Sequence, residues 1–356
     1  MLENVEQRNT LLTSIERARN SSVIAYFLHD NAVIADDALP HLYDKLQALG
    51  KKERIDLLLY ARGGMVEVCW RVINLLREHC DHLGVIVGTR AQGAAALLPL
   101  GADEIVIGPL SELGGIESAR KHPLLPHDET GQSLPVTWGE MKSLIGFLGA
   151  GDQGSGVRGQ GSGIRDQGSG IRDQGSAAGE DRADDRQGLS AEMAAALFQH
   201  VHPLVIAQLQ QTDTLSREIT RKALRLHMHP ENAGQIEQVV DLFNGGFHSH
   251  FYTVSPRELV EIGLPVMEAT GELWSSVLSL AQLYQASLYT ERPDPAAPGA
   301  FFRYVCVIES VGRSTGLRQV FTQVEAQERV LQVRWETAIR SPGPGPSFGP
   351  GGSSNN

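Results

Sequence analysis

The chain predicts an α/β protein built on a parallel sheet, and three observations carry that prediction. Two glycine-bearing turns each join a short apolar run to a stretch of helical character: Leu57–Tyr60 leads through Gly63-Gly64 to Val66, Cys69, Trp70, Ile73 and Leu76, and Gly84–Gly88 leads to Gly93 and its alanine run. A third apolar run, Ile105–Ile107, follows the second of these stretches. Strand, helix, strand, helix, strand over roughly 55 residues predicts parallel strands joined by right-handed crossovers.

Each element has a local reason. Leu57–Tyr60 is bounded by charge, which suits a buried strand, and Gly63-Gly64 permits backbone angles that a Cβ disfavours. The helix after this turn repeats its apolar residues at helical spacing, so the amides of the turn and of the first helical residues point outward as an anion cradle. In Gly93-Ala-Ala-Ala-Leu-Leu the small residues allow a helix to pack closely on its neighbours. Ser255 with Glu258 predicts a capping box, with Pro256 at the first helical position and Gly263 as the stop, enclosing a helix of about seven residues.

Arg62-Gly63-Gly64-Met65, Gly93 and the following Ala102-Asp-Glu-Ile-Val106 resemble the Clp-protease/crotonase superfamily, most closely its serine dehydrogenase proteinase family, a relative of signal peptide peptidase A. The resemblance covers residues 20–145 and 190–268. It implies a ββα superhelix with a parallel sheet, surrounding helices, peptide substrates and self-assembly, and no cofactor. That family has Pro-Gly-Gly at the first turn and Ser-Gly-Gly at the second. Here Arg62 stands where the proline would be, and counting back ten residues from Asp103 places Gly93 at the nucleophile. Gly63, Gly64 and Ala94 match the oxyanion-hole positions.

That departure decides the functional expectation. Acyl transfer by covalent catalysis needs a hydroxyl or thiol, and glycine has neither. An oxyanion hole left without its nucleophile retains about 10³-fold over water. Thr89, Ser111 and Ser118 are the neighbouring hydroxyls that a shifted turn would have to recruit. A second segment, Leu242–Val266, resembles the family's Thr-His-Asp-Tyr stretch; Ser249-His250-Phe251-Tyr252 matches it in part, with phenylalanine in place of the acid and His250 as the candidate imidazole. The expectation is a serine-peptidase homologue without its catalytic serine, binding a peptide or protein segment as a homo-oligomer or in a mixed oligomer with an active relative. The alternatives are an active hydrolase with another nucleophile, and a crotonase-like acyl-coenzyme A enzyme with Glu67, Glu112 or Glu117 as base, because enolate stabilisation needs donors but no nucleophile.

Composition bounds the rest. With 356 residues and 41% hydrophobic side chains the chain can bury one large core or two smaller ones. Three cysteines form no disulfide framework, which suits a reducing cytoplasm; the first 23 residues are too polar for a signal peptide, and no long apolar run suggests a membrane span. The net charge of −11 argues against nucleic acid as a general partner. Three His-x-His pairs, at 200/202, 227/229 and 248/250, raise the question of a metal, but residues two apart on a helix diverge, so only His248 and His250 on an extended segment would share a face; no metal site is expected. His29-Asp30 and His127-Asp128 read as surface pairs.

The predicted organisation runs from an N-terminal helix at 1–20 to the first part of the core at 21–150. A heptad of Asp-Gln-Gly-Ser-Gly-Ile-Arg type, with too few apolar residues for a coiled coil, fills a disordered insertion at 151–188. The second part of the core follows at 189–292, with helices over Ser190–Gln211, Ser216–Leu226 and Glu272–Tyr289. A small antiparallel meander at 293–340 is expected as an appendage behind the Pro293–Pro298 linker, before a disordered tail at 341–356.

Overall fold

The computed structural model describes residues 4–116, 122–125, 127, 133–134, 136–150, 195, 197–198, 201–246, 252–324 and 327–339. The repeat segment and the tail lie outside these residues. Among them the chain is mixed α/β, with an eleven-stranded sheet whose centre is parallel. In chain order the strands are β1 Ser22–Leu28, β2 Lys52–Ala61, β3 Cys80–Ala91, β4 Glu104–Ile107, β5 Glu112–Gly114, β6 Thr253–Val254, β7 Val266–Glu268, β8 Arg292–Pro293, β9 Phe301–Ser310, β10 Arg313–Val324 and β11 Gln327–Ile339. The main path through the sheet runs β11-β10-β9-β1-β2-β3-β4-β7, with β1 to β4 and β7 parallel to one another.

Both faces of the parallel strands are covered, as their near-continuous apolar sequences require. Alternate residues go to opposite sides. Ile24, Tyr26 and Leu28 of β1 and Ile55, Leu57 and Leu59 of β2 join one cluster with the helices α2 (Leu39–Leu49) and α3 (Val66–Glu78). Val23, Ala25, Phe27 and Leu58 join a second with α1 (Val5–Arg19) and the helix Gly271–Tyr289. Each leucine or valine so buried contributes on the order of 1.5–3 kcal/mol. Within the separate compact unit Ala119–Gln210, Leu125, Met141, Leu197, Val201, Val205 and Leu209 form a core of their own.

The structure revises three expectations. β2 starts at Lys52, so Asp56 is a buried residue within the strand rather than a charge that bounds it. A single helix runs Pro203–Leu224 across the expected break after Gln211. Side chains of this helix have a tertiary partner in Asn244: Ser216 Oγ donates to Asn244 Oδ1 at 2.6 Å and Asn244 Nδ2 donates to Thr220 Oγ1 at 3.1 Å. The meander exists as β9–β10–β11, but it is no appendage. β9 pairs antiparallel with β1, from Ala25↔Glu309 to Leu28↔Cys306, and so extends the central sheet. The predicted capping box is present: Ser255 N–H donates to Glu258 Oε2 at 2.8 Å and Glu258 N–H to Ser255 Oγ at 3.3 Å, at the start of the helix Pro256–Glu261.

Candidate functional site at the carboxyl ends of the parallel strands

Ligands of open α/β sheets gather where parallel strands end, and here four neighbouring strand ends carry the notable residues. His29-Asp30 follows β1, Arg62–Met65 follows β2, Gln92–Ala94 follows β3, and β5 carries Glu112 just past β4. Strand β5 pairs with the end of β3 (Arg90↔Glu112, Ala91↔Leu113) and β6 with β5 (Leu113↔Val254), which brings the Thr253-Val254 segment to the same edge.

The two glycine turns need their glycines for different reasons. Ile34 N–H donates to the Gly63 carbonyl at 3.2 Å and Met65 N–H to the Ile34 carbonyl at 2.9 Å. This parallel bridge pairs Ile34 with Gly64 and so turns the Gly64 N–H away from Ile34. Gly64 is needed for closeness, since a Cβ there would lie 3.0 Å from both Cys69 Sγ and Ile34 Cβ. Gly93 is needed for conformation, with φ of 57° in the left-handed region. Helix α3 and the short helical turn Gly93–Ala96 start at Met65 and Gln92 without a side-chain cap, so no cap competes for their first amides.

A polar network fixes the surroundings. Tyr60 Oη donates to Asp30 Oδ1 at 2.8 Å, and Arg62 Nη1 donates to Asp30 Oδ2 at 3.3 Å. Burial opposes ionisation of Asp30, but hydrogen bonds from Tyr60, Tyr289 and Arg62 outweigh it and hold the carboxyl below its usual range. Burial first, and then the Asp30 carboxylate, push the Tyr60 phenol upward. His29 is not a surface residue: it is buried, accepts from Asn31 N–H through Nδ1 at 3.1 Å, and is held toward the neutral form by burial and by Arg303. Arg90 Nε binds Glu112 Oε2 at 2.7 Å, and Gln92 Nε2 reaches the same oxygen at 3.4 Å.

Ser111 and Thr89, two of the candidate hydroxyls, already have hydrogen-bond partners, and the nearby thiol of Cys69 is buried. Ser111 Oγ donates to the Val87 carbonyl at 2.6 Å and accepts from Gly108 N–H at 3.0 Å; Thr89 Oγ1 accepts from Gln285 Nε2 at 3.4 Å. Cys69, directly behind Gly64, is fully buried, and that burial pushes its thiol up, away from the reactive thiolate. Glu67 lies in the first turn of α3. Ser118, Glu117 and His250 lie outside the described residues, as do His200, His248 and Asp128. His227 Nε2 pairs with the Leu100 carbonyl at 2.9 Å, His202 Nδ1 accepts from Leu204 N–H at 3.2 Å, and His127 Nε2 pairs with Ser133 Oγ at 3.2 Å. Among the described residues no group of histidine, cysteine and acidic side chains could hold a metal ion, and no helix is long and apolar enough to cross a membrane.

The sequence reading missed the Asp30–Tyr60–Arg62–Tyr289 network. Its signal was available only in part, as a polar His-Asp pair directly after an apolar run; Tyr289 comes from a helix more than two hundred residues away. No family model matches the chain, and no curated protein matches it. Two solved structures are similar over part of their length, both of a membrane-bound stomatin-specific protease. One, a lysine-to-alanine mutant in complex with a substrate peptide, is 16% identical with a TM-score of 0.23 over 32% of this chain and 51% of that one. The other, a serine-to-alanine mutant, is 15% identical with a TM-score of 0.22 over 32% of this chain and 54% of that one. The match thus spans about half the length of those proteins.

Proposed function

We propose that this chain is a catalytically impaired homologue of the serine peptidases of the Clp-protease/crotonase type, and that its glycine turns bind an extended peptide segment. The reading rests on one observation. Gly93, at the nucleophile position of the resemblance, has a left-handed backbone at the end of β3, beside the uncapped Gly63-Gly64 turn at the end of the adjacent β2. On this reading the turns supply backbone donors for a carbonyl oxygen, and Gly93 has no side chain to attack it. The ββα superhelix, the proton acceptor role of His250 and assembly with an active relative belong to the same reading.

The test compares the natural protein with Gly93→Ser on a mixed fluorogenic peptide library, with peptide binding followed in parallel by fluorescence anisotropy. Binding without cleavage by the natural protein is the expected result. A serine at φ of 57° costs about 1–2 kcal/mol of backbone strain, so the variant should unfold at a lower temperature even where it gains hydrolysis. Cleavage by the natural protein at enzyme-like rates would sink the impaired reading.

A second reading has one observation of its own. The Glu112 carboxylate is held at the Gly93 turn by Arg90 and Gln92, where a general base for a crotonase-like reaction on an acyl-coenzyme A would be useful. Saturable acyl-coenzyme A binding that Glu112→Gln leaves intact, together with turnover that it abolishes, would favour this reading over the first.

A further inference from the structure

The two ends of the sheet differ in how they are finished. One edge is β7, three residues long, and short edge strands offer little to a passing chain. The other is β11, thirteen residues long, paired along β10 and with no second partner among the described strands. It exposes Val330, Leu331 and Val333 at 48%, 52% and 49% of their surfaces. Arg329 is exposed and has no ion pair among the described residues.

The register on β10 sorts β11 into two faces. Val330, Val333 and Trp335 lie opposite Phe321, Gln319 and Leu317, an odd-numbered row, so they share one face. Arg329, Gln332, Arg334 and Glu336 lie opposite Thr322, Val320, Arg318 and Gly316, and share the other. Leu331 is the extra residue of a β-bulge, because Val320 pairs with Gln332 and Phe321 with Val330. Without that bulge, Arg329 and Glu336 would fall on opposite faces.

We propose that β11 pairs antiparallel with β11 of a second copy of this chain, about a two-fold axis at Val333. A register through that axis is consistent with itself. Val333 meets Val333 of the other copy, Gln332 meets Arg334, and Leu331 bulges opposite the Arg334–Trp335 step; beyond it Val330 meets Trp335 and Arg329 meets Glu336. Each pair off the axis occurs twice by symmetry, and Val333–Val333 once on it, as an isologous interface demands. One face then carries a row of Val330–Trp335, Val333–Val333 and Trp335–Val330 contacts, and the other adds Arg329 to the Glu336 carboxylate, which already accepts from Tyr304 Oη at 2.8 Å and pairs with Arg334 at 3.0 Å within its own chain. Apolar and opposite-charge pairs of this kind are what stabilise cross-strand neighbours. Charge and shape thus select a second copy over an arbitrary strand. This inference is independent of the peptide-binding reading.

Sedimentation velocity on the full chain over a concentration series, beside Val333→Lys, Arg329→Glu and Val333→Cys, tests the interface. The natural protein should dimerise. Val333→Lys puts like charges against each other on the axis and should raise the dissociation constant about a hundredfold, whereas Arg329→Glu should weaken it about tenfold. Oxidised Val333→Cys should run as a covalent dimer, since cross-strand Cα atoms about 4.5–5.5 Å apart fall within disulfide reach. The native Cys69, Cys80 and Cys306 are buried and should not compete. A monomer at every concentration, a dimer indifferent to Val333→Lys, or a dimer that Val333→Cys fails to cross-link would each overturn the proposal.

Discussion

The amino and carboxyl ends of the same parallel strands carry ion networks of similar composition and opposite character. At the amino end, Arg19 binds Asp56 through Nε at 2.8 Å and Nη2 at 3.3 Å, Ser21 Oγ adds a third donor at 2.8 Å, and Arg19 and Arg54 both reach Glu104. Asp56 is fully buried there and its acceptors are satisfied. At the carboxyl end, Asp30 and Glu112 are also paired with arginines, but these pairs stay partly exposed, with side chains 29–37% accessible. Val33 and Met65 lie exposed beside the turn, at 55% and 44%. A closed network serves stability alone; an open one of the same chemistry leaves donors and apolar surface for a ligand.

The largest expected effect breaks the closed end. Asp56→Asn leaves the nearly buried Arg19 short of one anion, and removing a partner from a buried ion pair costs about 3–5 kcal/mol. Urea unfolding should register that loss, while peptide binding at the other end, measured well below the unfolding midpoint, should be unchanged. A change in both would mean that the two ends are coupled through the strands, and the comparison would fail.

At the open end the effects on stability are smaller and those on binding larger. Gly64→Ala sets a methyl group 3.0 Å from Cys69 Sγ and Ile34 Cβ, and overpacking of that kind costs about 1–3 kcal/mol. Because Cys69, Ile34 or the turn itself must give way to the added Cβ, the peptide anisotropy signal should weaken in a variant that still unfolds cooperatively. Retained binding would separate the Gly63-Gly64 amides from the ligand.

How far the sequence revealed these two ends follows from the range of the interactions. The α3 periodicity and the Ser255–Glu258 capping box are local patterns, and the structure contains both; the Gly63-Gly64 turn is present too, but neither glycine takes the left-handed backbone, and Gly64 is needed for its close approach to Ile34 and Cys69 instead. Asp56 misled because a charge inside an apolar run looks like a boundary until Arg19, on another element, is known to meet it. The meander looked detached for the same reason: only the pairing of Ala25 with Glu309, far apart in the chain, shows that it belongs to the sheet. The resemblance singled out Gly93 as the nucleophile position, but its left-handed backbone was not legible, since a Gly-Ala-Ala-Ala run is equally good sequence for an ordinary helix start.

The smallest effect is the most discriminating, because it has opposite signs in two pH windows. Asp30 and Glu104 both titrate below their ordinary values: burial opposes ionisation in each, and hydrogen bonds to Asp30 and the arginines around Glu104 outweigh it. Their folded-state pKa values are depressed, so the unfolded chain binds more protons in acid; the stability they supply is complete above the usual carboxylate range and lost as the pH falls through it. His29 is depressed by burial and by Arg303, so the unfolded chain also takes up its proton first, and stability declines as the pH falls below 6.5. The Asp30 carboxylate raises the His29 pKa and thereby limits that decline. Asp30→Asn should therefore deepen the loss just below pH 6.5 and reduce the loss in the carboxylate range, each by less than about 1 kcal/mol because Asp30 itself is partly exposed. Arg54→Ala, at the closed end, should change only the more acidic window. Unfolding midpoints in urea across the acid range separate the two, and an Asp30→Asn profile merely parallel to that of the natural protein would show that His29 and Asp30 do not share one electrostatic site.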